Sequence, residues 1–459
     1  MKDKQIRWGH FLEHLRSRDE PFVLRRNGAP PEWSDRALHQ SAYEQNPEFY
    51  ALLAVPEQVL LVQRERILFQ LLRASRAGMP REKRNILDRV VRFLLTTLHP
   101  NQVLKVFLAL RRVRANHKHT AKAIIQYILN HSELADMARF RRPALLDSLE
   151  HAMGKNVARA CAKMLSASAV SALEPKDETY LRRNLLRFAG DATSVRSIFP
   201  YLYGQKIAEL ETVSGASENT LFSAEQKAEQ LQAEAELEEP KTVTATNRGD
   251  ISATLIHLYR GGTSGELQDA LENYVREAAS QMPKFNGKLA LVLDASASTR
   301  GYGQREYCCI SQSVALKLVL EKCCDRLEVY SAGGSGQIPI PEGNTDLATA
   351  WLDAVESQPD LVAIVSDGYE NVYPGDLARV AATLPQVGIE TPTVFCHSKF
   401  TKNDDLSLRR AAPNLPELEF WHQSNFEGVL LSLFAMADPQ KSEPGLRQFL
   451  LKKLDAVCV

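Results

Sequence analysis

Apolar residues recur at two different spacings along the 459-residue chain. Between about residue 50 and about residue 205 they recur every three or four positions, which is the period of an amphipathic helix, as in Ile86, Val90, Phe93, Leu94 and Leu98. Prolines at positions 56, 80, 100, 143 and 175 separate these segments, and proline is tolerated at a helix start. Helices joined by short turns predict stacked helical hairpins of the HEAT type.

The second half of the chain alternates short apolar runs with helical patterns. Residues 289–293 and 361–366 are continuous apolar runs, which predict strands buried on both faces. The pattern predicts further strands at 327–331, 391–396 and 418–422, a short edge-hairpin arm at 337–340, and helices at 304–324, 347–357, 375–384 and 426–436. Strands that alternate with helices predict a doubly wound sheet covered on both faces.

These patterns predict five consecutive segments. They are a basic α-helical repeat domain at 1–209, an acidic flexible connector at 210–250, a helical segment at 251–286, an α/β domain at 287–440, and an amphipathic C-terminal helix at 441–459. The predicted fold class is therefore multi-domain, with an all-α helical-repeat half followed by a doubly wound α/β domain.

Side chains with oxygen ligands follow two of the predicted strands. Asp294, Ser296 and Ser298 alternate after the first apolar run, on a predicted exposed loop at the end of that strand. Thr345 precedes a helical pattern, and Asp367 directly follows the run at 361–366. The carboxyl edge of an open parallel sheet is where ligands bind. Carboxylates and hydroxyls favour Mg²⁺ or Mn²⁺ over zinc, because neither thiolate nor imidazole lies in the motif. The alternative is that Asp294 and the serines only cap the following helix.

In type, order and approximate spacing these five residues resemble the metal-ion-dependent adhesion site (MIDAS) of von Willebrand factor A domains, Asp-x-Ser-x-Ser followed by a loop Thr and a loop Asp. The resemblance covers roughly residues 288–438. It implies an A-type, Rossmann-like domain that binds Mg²⁺ or Mn²⁺ and takes a further carboxylate ligand from a protein partner. No enzymatic activity is expected, since the sequence lacks a P-loop and a bound cation keeps both carboxylates ionised.

Charge is distributed unevenly between the two halves. Residues 1–200 contain 34 Lys and Arg against 20 Asp and Glu, a net charge of +14, although the whole chain is neutral. The densest cluster lies between two predicted helices and comprises Arg111, Arg112, Arg114 and Lys118, which are candidate phosphate contacts for RNA. The alternatives are a solvated helix face, a surface that docks the acidic half, or cations that stabilise a helix C-terminus.

A basic helical half that precedes an A-type domain is similar to the Ro ribonucleoproteins. In that family a TROVE ring of helical repeats binds small structured RNAs, and an A domain closes the ring. Residues 343–348 (GNTDLA) and 366–371 (SDGYEN) resemble loops of the Ro A domain. The resemblance implies a Ro-like scaffold for structured RNA and a metal-dependent partner. The alternative is an intracellular A-domain adaptor that works with a MoxR-type AAA+ ATPase in complex assembly, without RNA.

Cysteine content and hydropathy indicate a cytoplasmic protein with no membrane segment. No run approaches the roughly 18 apolar residues that a membrane span requires. The seven cysteines are odd in number and include two adjacent pairs, 308–309 and 323–324. The pairs are about 22 Å apart if they share one helix, so they cannot converge on a metal, and buried free thiols are expected.

Overall fold

The computed structural model describes residues 6–25, 28–167, 173–204, 250–262, 265–302, 305–370, 372–400 and 409–457. The chain divides into two compact units. We call Met1–Arg16 together with Pro240–Lys453 the α/β unit, and Ser17–Glu239 together with Leu454–Val459 the helical unit. The predicted connector at 210–250 lies outside the described residues, except for its last residue. Within the described ranges, no helix combines the length and the apolar character needed to span a membrane.

Short helices separated by tight turns build the helical unit. They follow α1 (Trp8–Ser17) and are α2 (Arg36–Gln45), α3 (Pro47–Leu52), α4 (Leu61–Arg73), α5 (Arg81–Thr97), α6 (Pro100–Arg112), α7 (Lys118–Leu129), α8 (Leu134–Phe140), α9 (Arg142–Met153), α10 (Lys155–Ala167), α11 (Pro175–Asn184) and α12 (Ala192–Leu202). Pro100, Pro143 and Pro175 lie in the first turn of a helix, where the missing N–H removes no helical bond. The periodic apolar residues of α5, such as Val90 and Leu94, are fully buried.

The α/β unit contains a five-stranded parallel sheet. Its helices and strands after α1 are α13 (Ile251–Tyr259), α14 (Gly265–Ser280), β1 (Phe285–Ala295), α15 (Cys308–Cys323), β2 (Cys324–Gly333), α16 (Leu347–Glu356), β3 (Leu361–Ser366), α17 (Asp376–Thr383), β4 (Thr393–Ser398), β5 (Glu417–Phe420), α18 (Phe426–Ala435) and α19 (Pro439–Val457). The strand order is β2-β1-β3-β4-β5, and every pairing is parallel. The order reverses between β1 and β3, and a sheet of this kind opens a ligand crevice at the carboxyl ends of those two strands.

Helices cover both faces of the sheet. On one face Ala290 and Val292 of β1 pack in a core with Trp351 of α16 and Leu377 of α17. The alternate residues of β1, which include Leu289 and Leu291, are also fully buried, and α15 packs against β1 outside that core. Complete burial of such a leucine stabilises the fold by about 1.5–3 kcal/mol. The continuous apolar runs of the sequence therefore correspond to strands with two buried faces.

The segment at 337–340, predicted as an edge-hairpin arm, forms a turn instead. The chain leaves β2 at Gly333, which has φ +93° and where a Cβ atom would lie 2.6 Å from the carbonyl oxygen of Ala295. Pro339 and Pro341 cannot donate to a strand ladder. The Pro339 carbonyl accepts instead from the Tyr259 hydroxyl at 2.9 Å. Among the described residues, β2 is therefore the edge strand of the sheet on this side.

Helix α1 packs within the α/β unit, although the sequence analysis placed residues 1–209 in one helical domain. Its buried face comprises Trp8, Phe11, Leu12 and Leu15. The indole N–H of Trp8 donates to Glu443 of α19 at 2.5 Å. A Cβ atom at Gly9 would lie 2.3 Å from the sulfur of Met436, so a larger residue there would require the methionine side chain to shift. A contact between residues more than 400 positions apart explains the difference, since periodicity does not identify the partner of an apolar face.

The six described cysteines are free thiols. Cys308 and Cys309 begin α15, Cys323 ends it, and Cys324 begins β2. The first three are buried, and burial raises the pKa of the Cys309 and Cys323 thiols, which keeps them neutral. The two pairs thus lie at opposite ends of one helix.

Candidate functional site

The five oxygen-bearing residues singled out in the sequence lie together at the carboxyl edge of the sheet. Asp294 is the penultimate residue of β1, and Asp367 directly follows β3. Ser296 and Ser298 lie in the turn that leaves β1, and Thr345 lies two residues before α16. Because β1 and β3 are adjacent parallel strands, their ends bring these loops together. We call this group of five residues the edge site.

Hydrogen bonds connect the hydroxyl groups of the edge site. Thr345 Oγ1 donates to Ser296 Oγ at 2.7 Å, although the two residues are 49 positions apart. The hydroxyl oxygens of Ser296 and Ser298 are 3.0 Å apart. Asp294 Oδ1 accepts from the main-chain N–H of Ser296, also at 3.0 Å. The alternative that Asp294 and the serines only cap a helix does not account for the bond to Thr345.

The carboxylate of Asp294 is completely buried, with 0% of the residue exposed. This corrects our expectation of a loop carboxylate, since Asp294 belongs to the strand itself. Its second oxygen, Oδ2, accepts from the hydroxyl of Ser366 at 2.6 Å. Burial raises the pKa of Asp294, and the bonds from Ser296 and Ser366 oppose that effect. Asp294 is therefore held in one orientation within a water-poor environment.

Asp367 is the second buried carboxylate, and only one of its two oxygens has a hydrogen-bond partner among the described residues. Its Oδ1 accepts from the main-chain N–H of Tyr369 at 3.1 Å, and the Ser298 hydroxyl also donates to this carboxylate. Oδ2 is buried and has no hydrogen-bond partner among the described residues. Burial first, and then the charge of Asp294, raise the pKa of Asp367 to about 7. Two buried carboxylates that repel each other favour a bound cation, which neutralises both.

The backbone at Asp367 is fixed by residues that the sequence analysis did not identify. The main-chain oxygen of Asp367 accepts from Nε2 of His397 at 2.8 Å and from Nη1 of Arg409 at 3.2 Å. Gly368 adopts φ +88°, and a Cβ atom there would lie 2.1 Å from the carbonyl oxygen of Arg409. Its N–H donates to Ser366 Oγ at 3.0 Å, so the hydroxyl of Ser366 connects Asp294 to this turn. In the sequence around Asp367, only the tripeptide Ser-Asp-Gly indicates a turn at this position.

The donor set of the edge site consists of oxygen atoms. Two carboxylates and three hydroxyl groups suit a hard cation such as Mg²⁺, which retains some of its water ligands. The buried Oδ2 of Asp367 supplies an acceptor that the described protein residues leave unsatisfied. Ala297 is exposed and Ser298 is half-buried, whereas Asp294, Ser296 and Thr345 are buried. Access to the edge site is therefore from the side of the turn that contains Ser298.

The candidate RNA contacts of the helical unit differ in their environments. Arg111, at the end of α6, forms an ion pair with Asp147 of α9, and Arg112 donates to the carbonyl oxygen of Ala29 at 3.2 Å. Arg114 is exposed and has φ +55°, and Lys118 is exposed at the start of α7. Arg111 and Arg112 thus already bind other parts of the helical unit. Arg114 and Lys118 present their charges to solvent.

Comparisons with known proteins gave a likeness among solved structures. No protein-family model matches the sequence, and no curated protein matches it. The chain is similar to the RO (RSR) protein of Deinococcus radiodurans in its crystal structure, with 13% sequence identity, coverage of 95% of this chain and 99% of that chain, and a TM-score of 0.36.

Proposed function

We propose that the α/β unit is an A-type domain that binds Mg²⁺, or Mn²⁺, at the edge site and uses the ion to bind a protein partner. Asp294 and Asp367 supply the negative charge, and Ser296, Ser298 and Thr345 supply neutral oxygens directly or through water. The supporting observation is the buried Oδ2 of Asp367, which has no hydrogen-bond partner among the described residues and lies beside a second buried carboxylate.

The proposed ligands leave a coordination position of the ion for a group from a protein partner. Mg²⁺ requires near-octahedral coordination, and five protein groups, some acting through water, leave at least one position open. The half-buried Ser298 marks the side from which a carboxylate of another protein can reach the ion. We assign no catalytic step to the edge site, because a bound cation keeps both aspartates ionised and leaves neither as a proton donor. The proposed function is therefore metal-dependent recognition.

Binding of Mn²⁺ to the full-length protein, followed by electron paramagnetic resonance with Mg²⁺ as competitor, tests this proposal. Replacement of Asp367 by Asn should weaken binding by at least about 100-fold, because one of two ligand charges is lost. Asp346→Asn is the matched control, since Asp346 caps α16 by accepting from the N–H of Thr349 at 3.0 Å and asparagine caps equally well. Equal loss of binding in both variants would refute the assignment.

We further propose that the helical unit binds structured RNA, which makes the protein a Ro-like scaffold. Residues 17–200, all in the helical unit, contain 30 Lys and Arg against 18 Asp and Glu. This net charge of +12 supports the proposal, together with the exposed cations Arg114 and Lys118. Affinity purification of the full chain, with sequencing of nuclease-sensitive RNA, tests it. An AAA+ ATPase that copurifies only with Mg²⁺, without RNA, would favour the adaptor alternative.

A further inference from the structure

A second cluster of unsatisfied polar groups lies in the helical unit, where the end of α4 meets the start of α7. Side chains of α7 bond to three successive main-chain carbonyls of α4: Leu71, Leu72 and Arg73 accept from His119, Thr120 and His117, respectively. The imidazole rings of His117 and His119 stack with centroids 5.5 Å apart and an interplanar angle of 4°. The N-terminal turn of α7 is thereby held against the C-terminal turn of α4.

Several buried polar atoms around this junction have no hydrogen-bond partner among the described residues. They are Nη1 of Arg73, Nε and Nη2 of Arg76, Nε2 of His119 and the hydroxyl group of Tyr43. Arg76 and Tyr43 are each only 7% exposed. Buried groups of this kind are almost always satisfied in folded proteins, since loss of hydration without a replacement bond is unfavourable. A ligand that accepts hydrogen bonds from several of them removes that penalty.

The charges that face the cluster are predominantly positive. Arg76 donates to Asp88 at 2.5 Å through Nη1, but the side chain of Asp88 is 52% exposed and leaves the other two nitrogens of Arg76 unsatisfied. Burial first, and then the positive charge of Arg36, lower the pKa of Arg73, whereas Glu44 opposes this effect. Burial first, and then the charge of Arg76, lower the pKa of His119 to about 4. Arg76 interacts electrostatically with both His119 and Tyr43, so two arginines, a neutral imidazole and a phenol lie around the junction.

The N-terminus of α7 adds to this positive potential. The helix has 12 residues, and its N-cap, His117, makes no side-chain capping bond to the first turn. The first-turn N–H groups attract anions at such an end, and the carbonyls at the C-terminus of α4 that pack here offset part of the dipole. The helix end and the unsatisfied arginine and tyrosine donors are independent features that favour the same class of ligand.

We propose that Tyr43, Arg73, Arg76 and the first turn of α7 form a binding site for a phosphoryl group. Guanidinium groups present paired N–H donors that match the oxygens of a phosphate, and the Tyr43 hydroxyl supplies a further donor. The burial of these donors favours a terminal phosphate, with three unsubstituted oxygens, over an internal phosphodiester. Inorganic phosphate and the terminal phosphate of a nucleic acid share this chemistry. The phosphoryl site is distinct from the edge site and from the exposed Arg114 and Lys118.

Calorimetric titration of the full-length protein with inorganic phosphate, at constant ionic strength set by chloride, tests the site. Arg73→Gln should weaken phosphate binding by about 10-fold or more, because a charge-assisted pair is lost. Arg76→Gln should have an effect of the same size. Tyr43→Phe removes a single hydroxyl from a ring that packs on Tyr50 at 5.8 Å, so it retains the packing and tests the site even if an arginine variant fails to fold. Lys122→Gln, an exposed charge change on α7, should leave the affinity unchanged.

Two oligoribonucleotides of identical sequence, one with a 5′-phosphate and one with a 5′-hydroxyl, identify the source of the phosphoryl group. Tighter binding of the phosphorylated strand that is lost in Arg73→Gln identifies a nucleic-acid end. Equal binding of the two strands, with phosphate binding retained, identifies the free anion. Phosphate binding no tighter than that of chloride, or unchanged in both Arg73→Gln and Tyr43→Phe, would overturn the proposal. Mg²⁺ binding in the same samples reports on the edge site separately.

Discussion

Removal of the Asp367 charge should stabilise the metal-free protein and should abolish most of its stabilisation by Mg²⁺. In the folded protein the pKa of Asp367 is about 7, compared with its ordinary value of 3.8. The difference of about three pH units corresponds to about 4 kcal/mol at about 1.36 kcal/mol per unit. Repulsion by Asp294 contributes part of this free energy. Removal of the Asp367 charge therefore also removes the repulsion that acts on Asp294. We expect metal-free Asp367→Asn to be more stable than metal-free wild type at pH 8 by on the order of 2–4 kcal/mol.

The sign of the pH dependence follows from proton binding. Between about pH 4 and about pH 7 the folded state retains a proton on Asp367 that the unfolded state has released. The free energy of unfolding of the metal-free wild type should therefore fall as pH rises through this window. In Asp367→Asn this contribution is absent, so the advantage of the variant should be large at pH 8 and should disappear near pH 4.

Urea unfolding in EDTA at pH 5 and pH 8, repeated with Mg²⁺, measures these differences. Saturation with Mg²⁺ at about 100 times its dissociation constant adds about 2.7 kcal/mol to the wild type. Asp367→Asn should gain little stability from Mg²⁺. The difference in the free energy of unfolding between the variant and the wild type should therefore become smaller or change sign. Asp346→Asn should behave as wild type throughout. Equal stability of metal-free wild type and Asp367→Asn at pH 8, or equal stabilisation of both by Mg²⁺, would contradict this prediction.

Three further experiments test the supporting contacts and the basic surface. Ser366→Ala removes the 2.6 Å bond to Asp294, so calorimetry should show Mg²⁺ affinity reduced by about 10- to 100-fold with the fold retained, and unchanged affinity would contradict this role. Gly368→Ala should destabilise the fold by at least about 2 kcal/mol in urea unfolding, whereas Gly388→Ala, at φ +83° with no atom within 4 Å of the new Cβ, should cost only about 1 kcal/mol. Arg114→Gln combined with Lys118→Gln should lower the salt-dependence slope of RNA binding by about 2, measured by filter binding, and an unchanged slope would remove these two contacts.

The sequence predicted the features that depend on local pattern. The predicted strand at 361–366 coincides with β3. Every residue of β3 is buried, so its sequence forms a continuous run and does not alternate between apolar and polar residues. The loop positions of Ser296, Ser298 and Thr345 follow from their place after apolar runs or before a helix. Their convergence could be inferred because adjacent parallel strands end at one edge of the sheet.

Features that depend on distant contacts could not be predicted. Asp294 is part of β1 and fully buried, whereas a polar residue after an apolar run predicts an exposed loop. Ser366 and Arg409 act through contacts between different strands and loops. In the helical unit, Arg73 and Arg76 resemble ordinary charges near a helix end until their burial is known. Arg111 and Arg112 have protein partners that no local pattern indicates.

Calorimetric titration of Mg²⁺ into the full-length protein and into Asp294→Asn determines whether the edge site holds the ion. Asparagine retains the size of the side chain, its amide oxygen can accept from the Ser296 N–H, and its NH2 group can donate to Ser366 Oγ. It removes the charge that the cation requires. The proposal predicts one Mg²⁺ per wild-type chain and no measurable binding to the variant at the same concentration. Tight binding of one Mg²⁺ by correctly folded Asp294→Asn would show that the ion is held elsewhere in the protein.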